Sequence, residues 1–223
     1  MASDGVRSDG RRLLLAEELA LLSIGEDGGP FPGGPMLEGA YAAAILMELR
    51  ARGAVDIVCG SVRSLDGCPT GDRLLDEIVR DVRTARSRPV RQEIAAIART
   101  GIGRAVVERL ERDELIARRR STVLGLVPVW RYSVIPPRMV THWAIRLHAI
   151  VRGEDAPDAR EHALLPLLVA VHLLPRLVGR GQRLTATALA GSLAQDDPIV
   201  DALHAHLAVL EAGEEALLVT TAL

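Results

Sequence analysis

The chain has no lysine, few aromatic residues and only two cysteines, and each scarcity excludes something. All 27 of its basic residues are arginine. Because only 2% of the residues are aromatic, the core must consist of Leu, Ala, Val and Ile, a composition that favours helices. Cys59 and Cys68 are too few for a disulfide framework or a zinc site. A net charge of −2 excludes a globally basic nucleic-acid binder.

Apolar residues, by contrast, are abundant. With 48% hydrophobic residues in 223, the chain can bury a sizeable core as one domain. The polar start predicts a flexible N-terminal tail over residues 1–10, followed by one globular domain over residues 11–223. Since this start lacks the apolar stretch of a signal peptide, we expect a cytoplasmic protein.

One stretch, residues 36–53 (MLEGAYAAAILMELRARG), is small or apolar on nearly every side. A helix that is apolar all round is a buried helix. Glu38, Glu48 and Arg50 within it argue against a membrane span. The sequence therefore predicts a mainly α fold, a single globular helical domain built around this buried central helix.

The other elements are predicted from periodicity and from Gly and Pro breaks. Residues 13–24 form a helix with an acidic strip and a leucine face, and a helix starting near residue 72 is capped by Thr70 or Asp72. Small β-hairpins are expected at residues 54–67 and at residues 122–135. Helices are expected at residues 90–99, 104–113, 138–151, 159–177, 185–193, 199–210 and 214–223.

No constellation of residues predicts catalysis or metal binding. The six histidines include no pair at the i, i+4 spacing of a helical metal site. No serine lies in a nucleophile elbow, and neither cysteine has the charged surroundings of an activated thiol. We therefore predict that the chain is not an enzyme and has no metal or other cofactor.

Two glycine-containing segments resemble weak phosphate-binding signals. Gly101-Ile102-Gly103 precedes a helix instead of following a strand, so we interpret it as a helix break. Exposed N–H groups at residues 69–72 would attract an anion, but the carboxylate of Asp72 would repel one. We interpret that segment as a helix cap.

Arginines cluster between residues 99 and 120, and the forked guanidinium geometry suits phosphate. The members are Arg99, Arg104, Arg109, Arg112, Arg118, Arg119 and Arg120. Three interpretations remain open: a solvated face, a lipid headgroup site at a membrane surface, and a winged-helix arrangement. In the last, residues 103–113 would lie in a DNA groove and the hairpin would be the wing.

Three segments carry a resemblance to a known family: residues 13–24 (LLLAEELALLSI), 44–53 (AILMELRARG) and, most specifically, 69–77 (PTGDRLLDE). With the helices and hairpin that follow in the same order, the chain resembles a bacterial member of the Golgi phosphoprotein 3 family. The resemblance implies a helical domain attached peripherally to membranes. It also implies phosphatidylinositol 4-phosphate binding and no known catalytic activity.

In eukaryotic members the headgroup pocket holds a tryptophan, an arginine on the central helix and two further arginines three residues apart. Counted without gaps, these positions fall at Gly33, Ala42, Arg99 and Ile102. Arg99 alone is retained, while Arg104 matches another basic position and Phe31 can supply an apolar insertion. We therefore predict a lipid headgroup site at Arg99, Arg104 and Phe31, with altered headgroup choice.

The expected partner is an anionic, phosphoinositide-like membrane lipid. The hairpin at residues 122–135 carries Trp130 and Tyr132, and exposed aromatic strands pair readily, so it is our candidate for a homo-oligomer contact. The alternative function is a winged-helix DNA-binding regulator that uses residues 99–120. The net negative charge makes nucleic acid the less favoured partner.

Overall fold

A computed structural model describes residues 12–65, 67, 69–85, 87–123, 127–195 and 197–221. The α-helices within these ranges are α1 Leu15–Ile24, α2 Pro35–Ala51, α3 Arg73–Thr84, α4 Val90–Ala98, α5 Ile102–Arg112, α6 Arg138–Val151, α7 Ala159–Ala170, α8 Leu174–Val178, α9 Arg183–Leu193 and α10 Pro198–Thr221. The strands are β1 Val55–Val58, β2 Ser61–Ser64, β3 Arg88–Pro89, β4 Ile116–Val123 and β5 Val127–Val134. They form two antiparallel sheets, β1-β2-β3 and β4-β5. The mainly α fold with small hairpins is confirmed.

Helix α2 lies at the centre of the core. All of its residues from Gly39 to Leu49 are buried, and α1, α4, α5, α7 and α10 pack around it. Pro35 occupies its first turn, where the missing N–H has no partner to lose. The predicted buried central helix is therefore confirmed.

Helix α1 has the predicted leucine face, but its acidic strip is buried as well. Glu17 and Glu18 are both fully buried. Buried carboxylates need partners, and arginines from α5 and α7 supply them. A helix with a polar and an apolar strip usually turns the polar strip to solvent, so the sequence alone could not show this burial.

The second hairpin is longer than the predicted residues 122–135. Strand β4 begins at Ile116, and its register with β5 places Arg119 opposite Arg131 and Arg120 opposite Trp130. Three consecutive arginines have no alternation of polar and apolar residues, so nothing local marked them as strand. Residues 124–126 of this hairpin are outside the described residues.

Two boundaries near the C-terminus also differ from the prediction. The segment predicted as one helix over residues 159–177 is divided into α7 and α8, with Pro166 inside α7 and Pro175 in the first turn of α8. Helix α10 continues to Thr221, so the predicted separate segment from residue 214 is part of it. No prolines follow Pro198, and nothing breaks that helix.

In the part of the chain that the structure describes, no helix is both long enough and apolar enough to span a bilayer. The flexible tail predicted over residues 1–10 lies outside the described residues.

Candidate functional site

Residues 69–77, the segment most specific to the resemblance, belong to a structural joint, meaning a set of contacts that connects α1, α3 and α5. Asp72 Oδ1 accepts hydrogen bonds from the backbone N–H groups of Leu74 and Leu75, at 2.9 and 3.3 Å, and so caps α3. The same carboxylate accepts both terminal nitrogens of Arg109, at 2.8 and 2.6 Å. Arg109 Nε donates to Glu17 Oε1 at 3.0 Å. Arg109 therefore connects α5 to α1 and α3 and is not available to a ligand.

Asp72 and Arg109 each favour the ionised form of the other. Burial alone would raise the pKa of the Asp72 carboxyl, but the hydrogen bonds and charge of Arg109 outweigh burial and hold that pKa below its usual range. Arg109 lies almost wholly inside the protein, with 13% of its side chain exposed. The predicted helix cap at Asp72 is confirmed.

A second buried cluster joins α1, α2 and α7. Arg160 Nε donates to both oxygens of Glu18, at 2.9 and 2.8 Å, and Arg160 Nη1 lies 3.4 Å from Glu48 Oε2. Burial raises the pKa of Glu18 to about 7, although Arg160 acts in the opposite direction. Arg160 and Glu48 line a cleft of about 810 Å³ whose other basic residues include Arg50, which is paired with Asp197. Its carboxylates Glu48 and Asp197 therefore already pair with Arg52, Arg160 and Arg50.

The N-terminus of α5 holds a carboxylate from the protein itself. Gly101 adopts the left-handed conformation, with φ of +74°, and separates α4 from α5. Glu38 Oε2 accepts the backbone N–H of Gly103 at 2.9 Å. A Cβ at Gly103 would lie 2.6 Å from Glu38 Oε1, so glycine is what permits this approach. The predicted helix break is confirmed, and Glu38 occupies the position at which a phosphate would bind.

The three predicted headgroup residues all lie on the surface. Phe31 is 40% exposed in the loop that precedes α2. Arg104 is exposed in the first turn of α5, where its Nε donates to Glu108 Oε1 at 2.8 Å. Arg99 caps the C-terminus of α4 and is exposed, and no carboxylate among the described residues forms an ion pair with it.

Two of the three, Phe31 and Arg104, flank the N-terminal end of α2. Phe31 is close to Gly34, the N-cap of that helix. Arg104 follows Gly103, which is bonded to Glu38 in the first turn of α2. Arg99 ends α4, a helix that packs against α2.

The groove that Phe31 lines does not include the other two residues. Phe31 lines a groove of about 530 Å³ between the loop at residues 25–33, β5, α6 and α8, and the basic residues of that groove are Arg131 and Arg176. Arg99 and Arg104 do not line it. Ala42 and Ile102, the positions matched to two pocket arginines of the family, are both buried. They cannot contact a headgroup.

The hairpin β4–β5 is a basic surface that the sequence analysis did not assign to lipid. Its two strands contain four arginines and no acidic residue. Arg119 lies opposite Arg131, and Arg120 lies opposite Trp130. The guanidinium of Arg118 lies 4.4 Å from the centroid of the Trp130 ring, and Trp130 is 50% exposed. The absence of Asp and Glu from residues 115–134 was the signal that could have identified this surface.

The loop that carries Phe31 is bonded to this hairpin. Gly29 and Tyr132 exchange two backbone hydrogen bonds of 2.9 and 2.8 Å. The Phe31 ring meets the Tyr132 ring edge to face, with centroids 5.9 Å apart. Arg131 Nη2 donates to Gly28 O at 3.0 Å. Tyr132 is therefore buried by the loop, and the expectation that it is exposed beside Trp130 is wrong.

The family model described as Golgi phosphoprotein 3 (GPP34) matches residues 15–209. The chain belongs to the Golgi phosphoprotein 3 family. The match runs from α1 into α10 and so includes the buried joints, the N-terminal end of α2 and the basic hairpin. No curated protein matches the chain.

Metal ligands are not grouped in the described part of this Golgi phosphoprotein 3 family member. No three of its His, Cys, Asp and Glu side chains there come together in a way that could hold a metal ion. The surface features that distinguish it are guanidinium groups and two exposed aromatic rings, those of Phe31 and Trp130.

Proposed function

We propose that this chain is a peripheral membrane adaptor that binds anionic lipid headgroups, and that the hairpin β4–β5 with its adjoining loop contacts the bilayer. One observation carries the proposal: the hairpin combines four arginines, no acidic residue and an exposed Trp130 beside the exposed Phe31 loop. Arginine near an anionic surface and tryptophan at the headgroup level are the groups that hold proteins at a bilayer surface.

The hairpin can meet a surface along the part of its strands that lies beyond its base. Residues Ile116, Tyr132 and Val134 at its base are buried against the body of the protein. Beyond that base, basic side chains stand on both faces, since Arg119 and Arg131 share one face and Arg120 and Trp130 share the other. Strands placed among headgroups would hold guanidiniums beside phosphates on either side.

Headgroup choice differs from the eukaryotic pattern in this proposal. Family membership supports phosphatidylinositol 4-phosphate as one candidate ligand, with Arg99 and Arg104 as its predicted contacts. Ala42 and Ile102 are buried apolar residues at two positions where the eukaryotic pocket has arginine. We therefore expect the chain to bind anionic membranes in general, without selecting one inositol phosphate. The chain then acts by binding and recruiting, at the cytoplasmic face of a membrane, without catalysing a reaction.

Vesicle co-sedimentation of the full chain tests the proposal. Vesicles of phosphatidylcholine alone are compared with vesicles that also contain phosphatidylglycerol or phosphatidylinositol 4-phosphate. We expect binding to both anionic compositions. Each arginine near an anionic surface is worth about 1 kcal/mol, so the triple variant R118Q/R119Q/R120Q should bind about 100-fold more weakly.

The matched control is R73Q/R80Q/R83Q on α3, which removes the same charge from a different surface. It should retain most of the affinity. Negligible binding to every composition would disprove membrane attachment. Equal weakening by the two triple variants would show that net charge, and not the hairpin, determines binding.

The winged-helix alternative has one observation in its favour. The order α4, α5, hairpin is that of a helix-turn-helix followed by a wing. However, the exposed side of α5 carries Glu108, paired with Arg104, and Glu111, which lies 3.9 Å from Arg118. These carboxylates would face DNA phosphates. Tighter binding to duplex DNA than to vesicles, with a steep salt dependence, would favour the winged-helix function over the membrane function.

A further inference from the structure

A cavity of about 300 Å³ lies between α3 and α4. Its walls are residues three, four or seven positions apart along each helix, a spacing that places them on one helix face. On the α3 side these are Ile78, Asp81, Thr84 and Ala85, on the α4 side they are Glu93, Ala96, Ile97 and Thr100, and Arg88 of β3 also lines the cavity. The volume is at the small end of the range for ligand pockets. The hairpin β4–β5 contributes none of these residues.

Glu93 in this cavity is a buried carboxylate with one weak partner. Its side chain is 2% exposed. Among the described residues, Arg88 alone donates a hydrogen bond to it, from Nη1 to Oε2 at 3.4 Å. Charge-assisted bonds of this kind are ordinarily about 2.7–2.9 Å long. Oε1 has no partner in the same part of the chain, and an incompletely paired buried charge is costly. A donor from a bound molecule would complete its hydrogen bonds.

A second carboxylate lines the same cavity. Asp81 forms no ion pair with any side chain that the structure describes. Burial raises the pKa of Glu93, the charge and hydrogen bond of Arg88 lower it, and the charge of Asp81 raises it further, so this pKa lies above its usual range. Arg88 therefore does not offset the burial of Glu93. Two carboxylates and one guanidinium leave the lining with a formal charge of −1.

The two threonines of the cavity can only accept hydrogen bonds from a ligand. Thr84 Oγ1 donates to Arg80 O at 2.9 Å, and Thr100 Oγ1 donates to Ile97 O at 2.6 Å. Because a carbonyl oxygen has no proton to give, each hydroxyl proton is already used. The cavity therefore offers acceptors from four side chains and donors from one, Arg88.

This balance selects the chemistry of the ligand. An anion would meet two carboxylates, and no three His, Cys, Asp and Glu side chains of the described residues are grouped to hold a metal ion. A primary ammonium brings three donors and one positive charge, and the apolar side chains of Ile78, Ala96 and Ile97 suit a short alkyl chain. The chain has no lysine, so none of its own side chains can supply an ammonium group.

We propose that this cavity binds a small primary alkylammonium ion. The ammonium group lies between Glu93 and Asp81, and the alkyl chain packs against Ile78 and Ile97. Binding neutralises the formal charge of the lining and gives Glu93 the donor that Arg88 does not supply. The site is separate from the hairpin surface, so it does not rest on the membrane function proposed above.

Isothermal titration calorimetry of the full chain with n-butylammonium chloride tests the proposal. The buffer is held at about pH 8, above the ordinary pKa of a carboxyl and below that of an alkylamine. We expect saturable binding of one ion per chain. Two matched probes separate the contributions, since 1-butanol lacks the charge and ammonium chloride lacks the alkyl chain. Each should bind at least about tenfold more weakly than n-butylammonium.

Variants locate the binding site. E93Q keeps the shape of the side chain and should weaken binding about tenfold or more, because a hydrogen bond to a buried charge is lost. D81N should weaken it about threefold, since an exposed carboxylate contributes less. A96L fills the cavity and should abolish binding. E77Q on α3 removes the same charge outside the cavity and should bind like the wild type.

Urea denaturation of each variant shows whether it is folded. If E93Q does not fold, D81N and A96L decide the question, because Asp81 is exposed and Ala96 is only partly buried. No saturable binding of n-butylammonium by the wild type would overturn the proposal. Binding that is unchanged in both D81N and A96L, or equal binding of 1-butanol, would overturn it as well.

Discussion

Arginines in two regions of the molecule have the same chemistry and opposite surroundings. Beneath α1, Arg109 and Arg160 are 13% and 12% exposed, and each contacts two carboxylates. On the hairpin, Arg119 and Arg120 are exposed, and neither strand contains an acid. A cluster of arginines in a sequence therefore does not define a ligand site. An arginine is available to a ligand only where the fold brings no carboxylate to its guanidinium.

The two regions also differ in what their charges do. The buried ion pairs fasten α1 to α3, α5 and α7, and removal of one member leaves its partner charged and out of water. The contacts of the hairpin arginines, such as Arg131 with Gly28 O and Arg118 with Glu111, lie at exposed positions. We therefore expect mutations beneath α1 to change stability and mutations on the hairpin to change binding.

The largest expected effect is on stability, from R109Q. This variant leaves Glu17 and Asp72 buried without their shared guanidinium. We expect the free energy of unfolding to fall by about 3–5 kcal/mol, measured by urea denaturation. The control R112Q removes an exposed arginine from the same helix and should leave the urea midpoint unchanged. A loss in R109Q no larger than in R112Q would remove the distinction between the two regions.

The next effect is a pH dependence that arises from Glu18. Its pKa is raised from 4.5 to about 7 in the folded protein, so the folded state disfavours the ionised form. Stability contributed by this group is present below pH 4.5 and is lost as the pH rises to about 7. The difference between the two pKa values corresponds to about 3 kcal/mol.

The variant E18Q should remove that dependence, because glutamine has no proton to lose. The free energy of unfolding of E18Q, measured relative to the wild type, should rise between pH 4.5 and pH 7 and then level off. E77Q on α3, whose side chain is 46% exposed, serves as the control and should show no such rise. A constant difference between E18Q and the wild type would show that folding does not raise the pKa of Glu18.

The smallest expected effect concerns self-association through the hairpin, which stays a prediction. Four guanidiniums on each hairpin repel those of a second copy, so added sodium chloride should strengthen association. W130A should weaken it by roughly two- to fivefold, since cross-strand aromatic contacts are each worth about 0.2–1 kcal/mol. Sedimentation velocity measures both effects. Association that is unaffected by salt and by W130A would assign the contact to another surface.

Some elements of this fold could be predicted from the sequence, and others could not. The central helix and Asp72 as the cap of α3 follow from composition and spacing, because both depend on residues close in the chain. The start of β4 does not, because the pairing of Arg118, Arg119 and Arg120 with β5 is a long-range choice. At the candidate site, the positions of Arg99, Arg104 and Phe31 on the surface were predictable. The surroundings of Phe31 were not, since Tyr132 reaches it from β5.

The sequence by itself determined that the chain is a mainly helical member of the Golgi phosphoprotein 3 family, built around an alanine-rich helix. Helical periodicity, helix caps and apolar content depend on residues that are close together in the chain, so the sequence shows them directly. Only the tertiary structure decided which arginines are structural and which are exposed. Arg109 reaches carboxylates 37 and 92 residues away. Contacts over such separations depend on the packing of whole helices, because no local pattern encodes them.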